Sequence, residues 1–99
     1  METRISVRNL KISDSTKEHI EKVCAKLGQF YDRIVDCEVV LAKHRLGTRV
    51  EFVVKVPQQT LVASAYTQDD NLFKAVAEAR ERLEKQVKKY HDKVVEHRG

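Results

Sequence analysis

Apolar and polar residues alternate, then recur at intervals of three and four, and this switch happens twice along the 99-residue chain. Arg4-Ile5-Ser6-Val7-Arg8 alternates and predicts a first strand. Ile20, Val23, Cys24, Leu27 and Tyr31 then fall on one helical face, with Ser13 or Asp14 as N-cap and an end fraying near Gly28. Alternation returns with Cys37, Val39 and Leu41, and again with Val50, Phe52, Val54 and Val56, which predicts two strands joined through a turn around Leu46-Gly47-Thr48. Pro57-Gln58-Gln59 turns the chain into a fourth strand, with Ala63-Ser64-Ala65-Tyr66-Thr67 as its strand-like core. Beyond Gln68-Asp69-Asp70-Asn71, one long helix places Leu72, Val76, Ala79, Leu83, Val87, Tyr90 and Val94 in a single apolar stripe. Asp69 or Asp70 is its expected cap.

The order βαβββα, with one apolar phase per strand, implies an α+β fold: a two-layer sandwich in which a four-stranded sheet carries both helices on one face. The other face would expose Arg4, Arg8, Glu38, Glu51 and Lys55 to solvent, as antiparallel sheets tolerate. Residues 1–99 are expected to form one domain, large enough to bury its own core. Repeats, linkers and low-complexity segments are absent from the sequence.

Charge adds a direction to this scaffold. Nineteen Lys and Arg against 15 Asp and Glu leave a formal net charge of +4, so both signs cover the surface with a basic excess that suits an anionic partner. On the second helix Arg82, Lys85, Lys89 and Lys93 lie together beside the apolar stripe, as a ridge that can follow a phosphate backbone. Glu78, Glu81, Glu84, Asp92 and Glu96 are interleaved with them, and Glu78–Arg82, Glu81–Lys85 and Glu84–Lys88 have the spacing of helix-stabilising ion pairs. The same helix therefore also reads as a solvated, charge-laced face. The chain contains no apolar run of bilayer-spanning length, and none after Met1 resembling a signal peptide, which gives a soluble, cytosolic reading.

Catalytic patterns are missing. His19, His44, His91 and His97 have no metal-ligand spacing, the three glycines form no phosphate-binding loop, and no serine or cysteine carries the signature of an activated nucleophile. The histidines read as structural or solvated, and the chain is not expected to be an enzyme or to need a cofactor or metal. Cys24 and Cys37 both fall on inward phases and read as two reduced core thiols, with a disulfide between them as the alternative.

Arg82-Leu83-Glu84-Lys85-Gln86-Val87-Lys88-Lys89-Tyr90-His91-Asp92-Lys93 resembles the basic-Leu-x-basic-Gln-aliphatic helix of bacterial ribosome hibernation promoting factors and the related ribosome-associated inhibitor. Ala63-Ser64-Ala65 followed by Asp70-Asn71-Leu72-Phe73-Lys74-Ala75-Val76, and Lys26-Leu27 with Phe30-Tyr31-Asp32-Arg33-Ile34, extend the likeness over nearly the whole chain. The resemblance implies the same βαβββα fold, similar to double-stranded RNA-binding domains. It further implies binding in the decoding channel of the small ribosomal subunit, against ribosomal RNA, so that messenger and transfer RNA are excluded and translation is inhibited under stress or in stationary phase. The RNA-contacting residues carried over are Arg82, Lys85, Lys89 and Lys93 on the second helix and Lys22 and Lys26 on the first. Val7, Asn71, Phe73, Ala77 and Arg80 depart from the family's usual glycine, Asp, Tyr, Asp and aliphatic residue, so no contact is carried over at those positions; the Arg80 stem is expected to pack while its guanidinium reaches water. With Gly99 last, the chain resembles the family's short form, whose members either cooperate with a separate ribosome modulation factor in pairing ribosomes or hold single ribosomes inactive. The competing reading is a protein-interaction module that pairs through its open sheet face or a strand edge and does not bind RNA.

Overall fold

The computed structural model describes residues 1–68 and 71–96, the last three as backbone only. Asp69, Asp70 and His97, and the side chains of Val94 and Glu96, lie outside the described residues. The elements are β1 (Glu2–Arg8), α1 (Asp14–Phe30), β2 (Asp36–His44), β3 (Gly47–Val56), β4 (Gln59–Thr67) and α2 (Leu72–Glu96). The four strands form one sheet in the order β1-β2-β3-β4. This is the expected α+β architecture, with one correction: β1 pairs with β2 in parallel, so the sheet is mixed. Alternation reports which face a residue takes and not which way the strand runs; α1, lying between β1 and β2, carries the chain back so that both strands point the same way.

Inward phases are as the sequence indicates. Cys37, Val39 and Leu41 of β2, Val50, Phe52, Val54 and Val56 of β3, and Leu61, Ala63 and Ala65 of β4 are buried. They meet Ile20, Val23, Cys24 and Leu27 of α1 and Ala75, Val76, Ala79, Leu83, Val87 and Tyr90 of α2 in one continuous core. Edge strand β1 is weaker: Ile5 is half-buried, and Val7, in the inward phase, is 37% exposed.

The local departures have identifiable causes. Ser13 is the N-cap of α1, its Oγ accepting from the Thr16 amide at 3.2 Å. The helix does not fray at Gly28 but runs to Phe30, where the Tyr31 amide bonds back to the Leu27 carbonyl at 2.9 Å. Met1 lies over Gly28 so closely that a Cβ there would sit 3.1 Å from its sulfur, so the missing side chain makes room for the N-terminal residue. At the start of α2 the Asn71 Oδ1 accepts from the Lys74 amide at 3.2 Å, as a capping side chain does, while the expected caps Asp69 and Asp70 lie outside the described residues. The β2–β3 turn is the two residues Arg45-Leu46, tighter than expected, with Arg45 at φ 52 and His44 paired to Gly47. Pro57-Gln58 joins β3 to β4, Gln58 taking φ 73 as the third residue of a type II turn does.

Candidate nucleic-acid interface

α2 is anchored along β4 by a line of three polar-tipped side chains one turn apart. The Arg82 guanidinium donates to the Ser64 carbonyl at 2.6 Å, the Gln86 amide to the Val62 carbonyl at 2.7 Å, and the Tyr90 hydroxyl to the Pro57 carbonyl at 3.1 Å. The Ser64 and Val62 carbonyls belong to β4, which has no neighbouring strand on its outer side, and Pro57 to the turn that leads into it. The helix thus runs antiparallel to β4 and closes that edge. The sequence offered a signal for this, since residues 82, 86 and 90 step from the basic ridge into the apolar stripe, but their partners are set by packing.

Advancing about 100° per residue from buried Leu83 places Arg82, Lys85, Lys89 and Lys93 on the flank of α2 that faces β4 and solvent. All four are exposed. Lys89 and Lys93 line a shallow groove with Gln59, Leu61, Gln86 and Tyr90. The opposite flank of α2 faces α1: Phe73 meets the His19 ring edge-on at 4.6 Å, and Arg80 pairs with Glu84 at 3.4 Å, its side chain half exposed as a packed stem with a wetted head would be. Lys22 and Lys26 are exposed on α1. The six cations therefore stand on two different helices, four on α2 and two on α1.

Among the described residues the ion pair within α2 is Arg80–Glu84, and not one of the three pairs that sequence spacing offers. Lys85, Lys89 and Lys93 have no carboxylate among the described residues within ion-pairing distance. On the open face of the sheet Arg4 pairs with Asp36 at 2.7 Å and Arg49 with Glu51 at 3.0 Å, and Ser6 donates to Glu38 at 3.1 Å.

Among the described residues no group of three or more His, Cys, Asp or Glu side chains could hold a metal ion. Cys24 and Cys37 are fully buried free thiols with their sulfurs 3.5 Å apart, so they are not joined as a disulfide. The hydrogen bond between them and burial raise the Cys24 thiol far above the ordinary thiol range, which leaves it protonated and unreactive. No helix among the described residues is long and apolar enough to cross a membrane.

Residues 3–95 match the family described as Sigma 54 modulation protein / S30EA ribosomal protein. The chain is 35% identical to the ribosome-associated factor Y of Haemophilus influenzae over 93 residues, covering 94% of this chain and 85% of that protein. It is 29% identical to the ribosome hibernation promoting factor of Escherichia coli over 97 residues, covering 98% of this chain and all of that one. Among solved structures, a ribosomal subunit interface protein from Coxiella burnetii superposes with a TM-score of 0.83 at 26% identity, covering 93% of this chain and 99% of that one. The N-terminal domain of Thermus thermophilus Protein Y gives a TM-score of 0.72 at 31% identity, covering 88% and 94%.

Proposed function

The chain belongs to the Sigma 54 modulation protein / S30EA ribosomal protein family, whose members act in ribosome hibernation and not as enzymes, and from that membership we propose that it shuts down translation by occupying the decoding channel of the small ribosomal subunit. The observation that carries this reading is that Lys85 and Lys89 pair with no carboxylate among the described residues. A helix whose cations served only to stabilise it would spend them on the carboxylates one turn away, whereas these remain available for phosphate. Arg82, Lys85, Lys89 and Lys93 would track one stretch of ribosomal RNA backbone, and Lys22 and Lys26 would add contacts from α1. Residues 1–99 would act as a single ribosome-binding domain, a body of 48 × 22 × 18 Å that leaves messenger and transfer RNA no room in the same channel.

The hydrogen bonds of Arg82 and Gln86 weigh against the interaction-module alternative at β4, because they occupy carbonyls that an added strand would need. Cosedimentation with purified small subunits across a salt series tests the proposal. Phosphate binding releases counterions, so the association constant is expected to fall by about one power of ten per tenfold increase in salt for each phosphate contacted. Binding that ignores salt, or no binding at low salt, would return the assignment to a protein-interaction module. Adding a separate ribosome modulation factor to the same sedimentation is expected to shift the complex toward paired ribosomes.

A further inference from the structure

The end of the sheet remote from Pro57 carries a second cationic surface, on the face that no helix covers. Strand register puts Arg8, Ala42, Arg49 and Tyr66 in one row across all four strands, in the outward phase. Tyr66 is 40% exposed. Its ring stands at 87° to that of His44 with centroids 5.8 Å apart, and its hydroxyl donates to the His44 carbonyl at 3.3 Å. Gly47 seats it: a Cβ there would collide with the Thr67 carbonyl and lie 2.8 Å from the Tyr66 hydroxyl oxygen. A notch lined by His44, Arg45, Arg49 and Tyr66 results. The run Lys43 to Arg49 contains Lys43, Arg45 and Arg49 and no carboxylate.

We propose that this notch binds one unpaired nucleotide of RNA, its base stacked on Tyr66 and its phosphate held by Arg45 and Arg49. An aromatic ring fixed at one edge and open on a face, flanked by two guanidinium groups, is the combination that recognises a splayed-out base by stacking and its backbone by charge-assisted hydrogen bonds. The helical cations lie on the other side of the sheet, so this surface would meet a different strand of RNA and grip the opposite wall of the channel. Glu51 holds Arg49 in the unliganded protein and would yield it to phosphate. The inference rests on the proposal that the protein binds ribosomal RNA.

The test compares the parent chain of residues 1–99 with Arg45→Gln/Arg49→Gln, Tyr66→Leu, Tyr66→Phe and Glu51→Gln, each first checked for an unchanged melting curve. Small-subunit binding is measured across a salt series, and each complex is irradiated with short-wave ultraviolet light before peptide mass spectrometry. The double arginine variant is expected to bind about tenfold more weakly with a salt slope lower by roughly one to two units. Tyr66→Leu should weaken binding and abolish a nucleotide adduct on the peptide carrying residue 66, Tyr66→Phe should retain both, and Glu51→Gln should tighten binding. A parent that binds while the arginine and Tyr66→Leu variants match it in affinity and slope would overturn the notch and leave the ribosomal reading standing. Weaker binding without any nucleotide adduct would assign the surface to a ribosomal protein and overturn the RNA contact. A parent that fails to bind small subunits at all would instead overturn the ribosomal reading from which this inference starts.

Discussion

The guanidinium of Arg82 is bonded to the carbonyl of Ser64, 18 residues earlier in the chain, at 2.6 Å, and so a cation of the proposed RNA track also guards the edge of β4. A hydrogen bond to a charged donor contributes about 1.5–3 kcal/mol when shielded, and less at an exposed edge. Arg82→Leu is therefore expected to cost about 1 kcal/mol and to bare a strand edge. Thermal unfolding should show the loss, and light scattering at rising concentration should show self-association. A parent-like melt would mean that Gln86 and Tyr90 alone hold the helix to the strand.

Lys85 and Lys89 have no such structural duty, and their substitution separates binding from folding. Lys85→Gln/Lys89→Gln should melt within about 0.5 kcal/mol of the parent, as exposed substitutions do. Its affinity for small subunits should fall and its salt slope flatten by about two units. Equal affinity would remove the ridge from the interface.

Leu83, fully buried between α2 and the sheet, fixes the rotation of the helix and with it the direction of both flanks. Leu83→Ala is expected to cost about 2–5 kcal/mol in chemical denaturation, from lost burial plus the cavity left behind. If the variant unfolds at the parent's denaturant midpoint, α2 is rotated from its assigned register and the basic ridge turns with it.

How much of this was legible in the sequence follows from the range over which each feature is determined. β2 and β3 are central strands with one buried face, so the alternation of Cys37-Val39-Leu41 and Val50-Phe52-Val54-Val56 reported their phase fully. Strand direction is a matter of connection, and the parallel pairing of Ile5 with Val39 left no mark on either strand. The stripe of α2 was visible because helical periodicity is local. Where the flanks of that helix point was not: the bond from Arg82 to Ser64 and the ring contact of His19 with Phe73 depend on how α2 lies along β4 and beside α1. Cys24 and Cys37 were each legible as core, whereas their 3.5 Å apposition across α1 and β2 is tertiary.

That apposition has a consequence at alkaline pH. Cys24 has a thiol pKa raised in the folded state by its hydrogen bond with Cys37 and by burial, whereas in the unfolded chain it titrates near 8.5. Above that value the unfolded chain loses a proton that the folded one keeps, so the stabilisation is complete below about pH 8.5 and declines by roughly 1 kcal/mol per pH unit above it. Denaturation midpoints from pH 7 to 10 should show the decline, and Cys24→Ala should remove its share. A disulfide-exchange reagent at neutral pH should label neither thiol until the protein unfolds; rapid labelling of the native protein would contradict the burial of the pair.

Inhibition of translation is expected to be stoichiometric, because the described residues offer cationic surfaces and a packed core but no combination of acid, base and nucleophile that could turn over a substrate. Each protein molecule would silence one ribosome for as long as it stays bound. In an in vitro translation assay at fixed ribosome concentration, activity should fall linearly and reach its floor near one protein per ribosome. The inhibited ribosomes should recover when chased with excess initiator transfer RNA and initiation factors, since occupancy of the decoding channel is competitive with both. Raising the salt should speed that recovery, as weakened phosphate contacts shorten the residence time. Inhibition complete at far below one protein per ribosome, with no recovery in the chase, would require chemical damage to the ribosome and would contradict a mechanism by occupancy.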